Sequence, residues 1–217
     1  MSGTITALKQ QKRNPDRINI YLDGEYSFSL SKITAAWLAV GQSLSEEKIS
    51  SLQLQDAQEV AYQSAIKYIQ YRPHSSQEIR QYLSRHQIAP DVIEAVLVRL
   101  GRSGLTDDQE FAKMWVDNRS EFRPRSKRVL EMELRQRGID HQSIDQALVD
   151  MDEERLAYKA GVKQAKRYTG LEKVVFKRKL FAYLARNGFN YDVIPSVVER
   201  IWNEEKHNNN SLEDKVR

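Results

Sequence analysis

The sequence predicts a mainly α-helical protein: an elongated, curved tandem array of three three-helix repeats, preceded by a small N-terminal appendage that contains a β-hairpin. Three observations support this fold class. From Asp56 onward the apolar residues recur at helical spacing. The same apolar pattern returns after about 50 residues, which indicates a repeat. Before Asp56, the segment RINIYLDGEYSFSL instead alternates apolar and polar residues in period two, as strands do.

The N-terminal segment centres on a hairpin at Asp23-Gly24. A two-residue turn there would pair Ile20 with Ser27 and so mix apolar and polar side chains on one face. We therefore predict a three-residue loop, 22–24, which pairs Ile20 with Tyr26 and Ile18 with Phe28. The segment TITALK is a candidate third strand, and SEEKISSLQLQ, with Ser45 as its cap, predicts a short helix.

The repeat consists of six apolar positions that keep their offsets through three units. Coincidence among helices would rarely produce such a register. The first unit contributes Ile79, Leu83, Ile88, Ile93, Leu97 and Leu100. The second contributes Leu130, Leu134, Ile139, Ile144, Leu148 and Met151, and the third Leu180, Leu184, Phe189, Ile194, Val198 and Ile201.

Each repeat is predicted to contain three helices. In the first repeat Pro73 separates helix one from helix two, because a residue that precedes proline avoids the α region. Helix two opens with a capping box, Ser75-x-x-Glu78. In the second and third repeats a glycine, Gly138 or Gly188, supplies the left-handed residue that closes the middle helix. The predicted boundaries are 1–56 for the β-rich extension with its short helix, 57–104, 105–152 and 153–205 for the three repeats, and 206–217 for a polar tail.

A three-helix unit of this length buries little apolar surface alone. We therefore expect the repeats to stack and to share their apolar faces in a row. Such an array suits filling or wrapping a groove better than enclosing a small ligand. Because its outer faces are polar, we expect a monomer.

The composition and charge pattern exclude several classes of protein. The chain has no cysteine, which excludes disulfides and thiolate metal sites. Because no run approaches 18 apolar residues and the first ten residues lack a signal-like core, we expect a cytoplasmic protein without a membrane span. The net charge is +4, but residues 118–137 hold seven basic and three acidic side chains, and residues 163–186 hold eight and one. Clustered cations favour a negatively charged partner.

The sharpest candidate for catalysis or metal binding is the pair Asp107 and Asp108, in GLTDDQEFAKMWVDNR. Adjacent residues of a helix point about 100° apart, so these carboxylates cannot readily share a proton or a metal. Asp107-x-x-Glu110 instead resembles a helix cap, at the end where the helix dipole favours carboxylates. Phosphate loops and nucleophile elbows are absent, and the four histidines form no i, i+4 pair. We therefore predict a protein that is not an enzyme, with no catalytic residue, metal or cofactor.

The remaining candidate site residues are cations. Lysine and arginine can bind DNA phosphates without sequence preference, or can pair with carboxylates on a protein partner. The sequence leaves both uses open. The candidates are Arg72, Arg119, Arg123, Arg125, Lys127, Arg128, Arg135, Arg137, Lys163, Lys166, Arg167, Lys173, Lys177, Arg178 and Lys179.

Three motifs resemble the RecX family of recombination regulators, bacterial proteins made of tandem three-helix repeats that bind the RecA filament. They are YRPHSSQEIRQYL at 71–83, GLTDDQEFAKMWVDNR at 104–119 and RPRSKRVLEMELRQRGI at 123–139. These are similar to the family's Arg-Pro-x-Ser helix opening, its Gly-Tyr-Leu-Asp-Asp-x-x-Phe-Ala boundary and its Leu-x-x-Lys/Arg-Gly-Ile closure. The sequence departs from the family pattern at His74, Gln87 and Leu105-Thr106, which replace Arg, Gly and Tyr-Leu.

The resemblance implies a non-enzymatic regulator that lies in the helical groove of the RecA–DNA filament and bridges neighbouring protomers. Such a protein would restrain strand exchange, ATP hydrolysis and the co-protease activity that drives the SOS response, and would bind single- and double-stranded DNA weakly and non-specifically. The alternative is a stand-alone DNA-binding helical-repeat module that uses the same cations. A third hypothesis is a metal-dependent nuclease built on Asp107 and Asp108, which would show Mg²⁺-dependent cleavage.

Overall fold

The fold was analysed in a computed structural model, which describes the backbone of residues 2–213 and the side chains of residues 2–206. The chain divides into two compact units, Met1–Thr106 and Asp107–Arg217. The first unit contains strands β1 (Gly3–Gln10), β2 (Arg17–Leu22), β3 (Glu25–Ser31) and β4 (Ser43–Leu44), and helices α1 (Lys32–Ala35), α2 (Glu46–Ile69), α3 (Ser76–Arg85) and α4 (Pro90–Arg102). The second contains α5 (Asp108–Phe122), α6 (Lys127–Gln136), α7 (His141–Leu148), α8 (Glu153–Ala165), α9 (Lys173–Arg186) and α10 (Ile194–Glu213).

The predicted fold class is confirmed as mainly α-helical, with three three-helix repeats after a small N-terminal sheet. The helices of the repeats are α2–α4, α5–α7 and α8–α10. Helix α10 continues through Glu213, so it enters the segment predicted as a polar tail, and residues 214–217 lie outside the described residues. Within the described part of the chain, no helix combines the length and apolar character that crossing a bilayer requires.

The N-terminal sheet has the order β3-β2-β1-β4. The predicted third strand is therefore confirmed as β1, which pairs antiparallel with both β2 and β4. One face of the sheet carries buried residues, among them Ile20 and Leu30, which pack with Ile49 and Leu52 of α2. Because successive strand residues point to opposite faces, the other face carries the polar and aromatic side chains.

The predicted hairpin loop is wrong. The turn consists of Asp23 and Gly24 alone, with φ of 50° and 94°, and Leu22 pairs with Glu25. A bulge between Ile20 and Tyr21 shifts the register, so that Ile20 pairs with Phe28 and Ile18 with Leu30. The additional residue on β3 keeps apolar side chains opposite each other without a longer loop. A two-residue turn with positive φ at both positions also matches the twist of the strands.

The predicted short helix and the first helix of the first repeat form a single helix, α2, of 24 residues. Ser45 caps it as predicted, and its hydroxyl accepts a hydrogen bond from Lys48 N at 3.2 Å. The helix continues because residues 46–69 contain no glycine or proline to break it. Asp56, near the predicted boundary, is buried within α2 and accepts a hydrogen bond from Arg17 at 3.1 Å.

The predicted repeat positions form the cores of the repeats. All eighteen are buried except Ile88 and Met151, which are half-buried. The expectation that neighbouring repeats share one row of apolar faces is wrong for the second and third repeats. Each has its own core, and Met151 packs against both. A third helix closes each unit, since α7 packs on α5 and α6, and α10 packs on α8 and α9.

The middle helix of every repeat ends in the same way. A residue with positive φ follows the helix: Gln87 at 59°, Gly138 at 74° and Gly188 at 86°. The next residue donates its N–H six residues back along the chain counting both ends, as Ile139 does to Leu134 O at 3.2 Å. These two features define the Schellman motif. The predicted role of the two glycines is confirmed, and the first repeat achieves the same geometry with a glutamine.

Candidate functional site

The aspartate pair at the start of α5 belongs to a helix cap. The Asp107 carboxylate accepts hydrogen bonds from Gln109 N at 2.9 Å and Glu110 N at 3.0 Å. These contacts satisfy N–H groups that have no partner inside the helix. The predicted capping role is therefore confirmed. Among the described residues, no group of three or more acidic or histidine side chains could hold a metal ion.

Two of the predicted cations, Arg119 and Arg137, surround Trp115 inside the second repeat. The guanidinium groups lie 4.5 Å and 3.6 Å from the centre of the indole ring. Glu133 links the cluster, because its Oε2 accepts hydrogen bonds from Trp115 Nε1 and Arg119 Nε, both at 2.8 Å. Arg137 also donates to Glu133 O at 2.9 Å. Both arginines therefore support the packing of α5 against α6.

Arg72 holds the start of α3. It makes two hydrogen bonds to the Glu78 carboxylate, at 3.0 Å and 3.2 Å, and Glu78 is the acid of the predicted capping box. Burial acts to raise the pKa of Glu78, but the hydrogen bonds and charge of Arg72 outweigh it and hold the pKa below its usual value. Arg72 therefore reinforces a cap within the first repeat.

Arg125 connects the second repeat to the third. Its guanidinium donates a hydrogen bond to Asn187 Oδ1. Ser126 N donates to Asn187 O at 3.3 Å, and Asn187 Nδ2 donates to Tyr183 O at 2.8 Å. Asn187 is buried, and the neighbouring Gly188 lies close to Ser126 and Val129. We call Arg125, Ser126, Asn187 and Gly188 the repeat junction.

Five further cations also have partners inside the protein. Lys173 and Lys177 of α9 both contact Glu199 of α10, the former at 3.6 Å. The others are Arg135, with Glu131 Oε1 at 2.6 Å, Lys163, with Phe122 O at 3.4 Å, and Lys179, which lies 5.7 Å from the centre of the Tyr168 ring. Most of these pairs are exposed, and exposed pairs are worth about 0–1 kcal/mol, so a stronger partner can replace them.

Six of the predicted cations are exposed, and their side chains have no hydrogen-bond, ion-pair or ring partner within the described structure. We call them the unpaired cations. Three lie at the start of α6, two at the end of α8 and one on α9: Arg123, Lys127, Arg128, Lys166, Arg167 and Arg178. Arg128 also lines a shallow depression of about 410 Å³ with Met132 and Arg135. These side chains remain available to an external partner.

The acidic side chains of the second unit lie in a different place. A groove of about 920 Å³ is lined by α5, by the end of α7 and by the start of α8. Six carboxylates contribute to it, together with Lys113, Arg155 and Lys159. The acids are Asp107, Glu110, Asp117, Glu121, Asp150 and Asp152. None of the unpaired cations lines this groove, so basic and acidic side chains of this unit are segregated.

Sequence inspection found the cations but missed Asn187. The asparagine was visible only as the residue before the helix-closing Gly188. Its contact with Arg125 joins positions 62 residues apart, which no local pattern can reveal.

Four family models match this chain in order. They describe the RecX N-terminal domain and the first, second and third RecX three-helix domains, and they match residues 3–45, 61–100, 107–148 and 152–198 respectively. The matched segments correspond to the sheet and to the three helical repeats.

Several relatives and solved structures are similar to the chain over most of its length. Regulatory protein RecX of Bacillus subtilis (strain 168) is 32% identical over 202 residues, which cover 91% of this chain and 76% of the relative. A Lactobacillus delbrueckii subsp. bulgaricus protein of the same name is 31% identical over 201 residues, 90% of this chain and 73% of the relative.

A crystal structure of regulatory protein RecX aligns with a TM-score of 0.71 and 27% identity, covering 91% of this chain and 99% of that one. The RecX structure from Lactobacillus salivarius has a TM-score of 0.59 and 22% identity, covers 68% and 97% of the two chains, and supports the fold. With all four domains matched in order and a relative above 30% identity over most of its length, this chain belongs to the RecX family of regulatory proteins.

Proposed function

We propose that this protein binds the groove of the RecA–DNA filament and mostly inhibits RecA strand exchange, ATP hydrolysis and co-protease activity. The observation that carries the proposal is the set of six unpaired cations in the second and third repeats. Their family membership makes regulation, rather than catalysis, the role they serve.

Charge segregation supports this assignment. An exposed arginine or lysine without an internal acid keeps its full attraction for phosphates or for the carboxylates of a partner. The repeat junction supports it further, because Arg125 and Asn187 join the two repeats that carry these cations. A protein that contacts neighbouring protomers through two repeats would hold them in one arrangement, which restrains the changes that strand exchange and hydrolysis require.

The test is a reversal of three unpaired cations, Arg123→Glu, Lys127→Glu and Arg128→Glu. Arg125 is left intact because its loss would disturb the repeat junction as well as the surface charge. A matched control reverses three exposed cations of the first repeat that also have no partner within the described structure, Lys67, Arg85 and Arg102. Both variants change the net charge equally.

We expect the first variant to lose co-sedimentation with RecA filaments and inhibition of RecA ATPase, while the control keeps both. Unchanged ATPase inhibition by the first variant would refute the proposal. Bare DNA serves as the second substrate over a salt series. If the protein binds bare DNA more tightly than RecA-coated DNA, with a salt slope that falls by about 0.9 per lost phosphate contact, the stand-alone DNA-binding module is favoured instead.

A further inference from the structure

The solvent face of the N-terminal sheet carries aromatic and basic side chains in one place. Tyr26 of β3 and Tyr21 of β2 meet edge to face, with ring centres 6.0 Å apart. Lys9 of β1 lies over the Tyr21 ring, with Nζ 4.8 Å from its centre. Three adjacent strands therefore contribute one side chain each to a continuous surface.

This face is open, because the core of the sheet lies on its other side. Tyr26 is 57% exposed, so the ring offers an accessible face beyond its contact with Tyr21. The rest of the surface is polar: Asn19 Oδ1 accepts a hydrogen bond from Gln11 Nε2 at 2.7 Å, and Ser29 binds Arg17. A surface without exposed aliphatic side chains lacks the apolar centre typical of a protein interface.

The charges near this face are mainly positive. Lys12 and Arg13 are exposed in the loop between β1 and β2 and have no partner within the described residues. The nearest acid on β3, Glu25, adjoins Tyr26 and so points to the opposite face. Asp23 is engaged at the turn, where its Oδ1 accepts a hydrogen bond from Thr4 N at 3.0 Å.

We infer that this sheet face binds single-stranded nucleic acid, with Tyr26 stacking on a base and Lys9, Lys12 and Arg13 contacting phosphates. We call these four residues the sheet-face site. Bases of a single strand expose their planar faces, which an aromatic ring on an open sheet can stack upon, whereas a duplex hides them. The inference is independent of the proposed function, since it involves none of the unpaired cations.

The test uses the full chain and a fluorescently labelled thymidine homopolymer of about 20 nucleotides, with a duplex of equal length as the second probe. Tyr26→Ala should weaken binding of the single strand about tenfold and leave duplex binding unchanged. Tyr26→Phe keeps the ring and should retain the affinity. The matched control is Tyr71→Ala, which removes a tyrosine that is 90% exposed but lies outside the sheet.

The inference is overturned if Tyr26→Ala changes single-strand affinity less than twofold, or weakens the duplex equally, or if Tyr71→Ala has the same effect. Should Tyr26→Ala disturb folding, the triple variant Lys9→Gln, Lys12→Gln and Arg13→Gln decides, since it should weaken single-strand binding and reduce its salt slope. An unchanged slope would contradict the site. Loss of filament co-sedimentation without loss of single-strand binding would count only against the proposed function.

Discussion

Gly188 is the position where one added methyl group should matter most. It has a φ of 86°, a left-handed conformation that side chains rarely adopt. A Cβ built there would overlap Val129 Cγ2 and lie 2.6 Å from Ser126 Oγ. Both neighbours belong to the start of the second repeat's middle helix and its cap. Gly188→Ala therefore combines backbone strain with a clash at the repeat junction.

The two effects can be separated by a matched control. Gly170 has a φ of 82°, and a Cβ there meets nothing within 4 Å. Gly170→Ala should therefore show the backbone term alone, about 1 kcal/mol. The clash in Gly188→Ala adds the cost of overpacking, about 2 kcal/mol, because neither neighbour is the far end of a flexible side chain. We expect total losses of about 1 and about 3 kcal/mol.

Urea unfolding followed by tryptophan fluorescence measures this difference in the correct unit. Trp115 and Trp202 are half-buried in the second unit, whereas Trp37 is 91% exposed already and should change little. With a slope of about 2 kcal/mol per M, the midpoint of Gly188→Ala should lie roughly 1 M below that of Gly170→Ala. Equal midpoints would refute the close packing at the repeat junction.

Two further predictions concern the first repeat. Gln87 is exposed and has a φ of 59°, so Gln87→Gly should relieve the left-handed strain and raise the free energy of unfolding by about 1 kcal/mol; a decrease in urea unfolding would contradict this. His74 is buried, and burial together with the charge of Arg72 lowers its pKa. The unfolded chain therefore binds a proton more readily than the folded one, so stability should fall as the pH drops below about 6.5 and return above it. His74→Gln should flatten this dependence, and an unchanged profile would assign it to other groups.

Much of the helical fold follows from local chemistry. The capping boxes and helix ends depend on residues within six positions of one another, as Ser75 and Glu78 illustrate. The eighteen apolar repeat positions mark core faces because helical spacing places them on one side of each helix. Asp107 was identified as a cap for the same reason, since its partners are the N–H groups two and three residues later.

The hairpin illustrates where local pattern is insufficient. Pairing Ile20 with Ser27 looked unfavourable, and a longer loop was the simplest remedy. The protein instead inserts a bulge beside Tyr21 and keeps the Asp23-Gly24 turn. Both solutions place apolar residues opposite each other, so alternation alone could not distinguish them.

For the candidate site, the sequence identified which residues are cations but not which remain available. Arg119, Arg123 and Arg125 look equivalent in the sequence, yet Arg119 packs on Trp115, Arg125 binds Asn187, and Arg123 has no side-chain partner within the described structure. Availability depends on which acid or carbonyl lies within hydrogen-bond distance, and those groups come from remote parts of the chain.

The sequence by itself determined the helices, their caps, the repeat and the clustering of basic residues, because these follow from chemistry within a few turns of one helix. Only the tertiary structure decided the closed core of each repeat, the repeat junction, the segregation of acidic from basic side chains and the aromatic surface of the sheet. Each of these joins residues distant in sequence, as Arg125 and Asn187 are, and depends on packing that no spacing rule encodes.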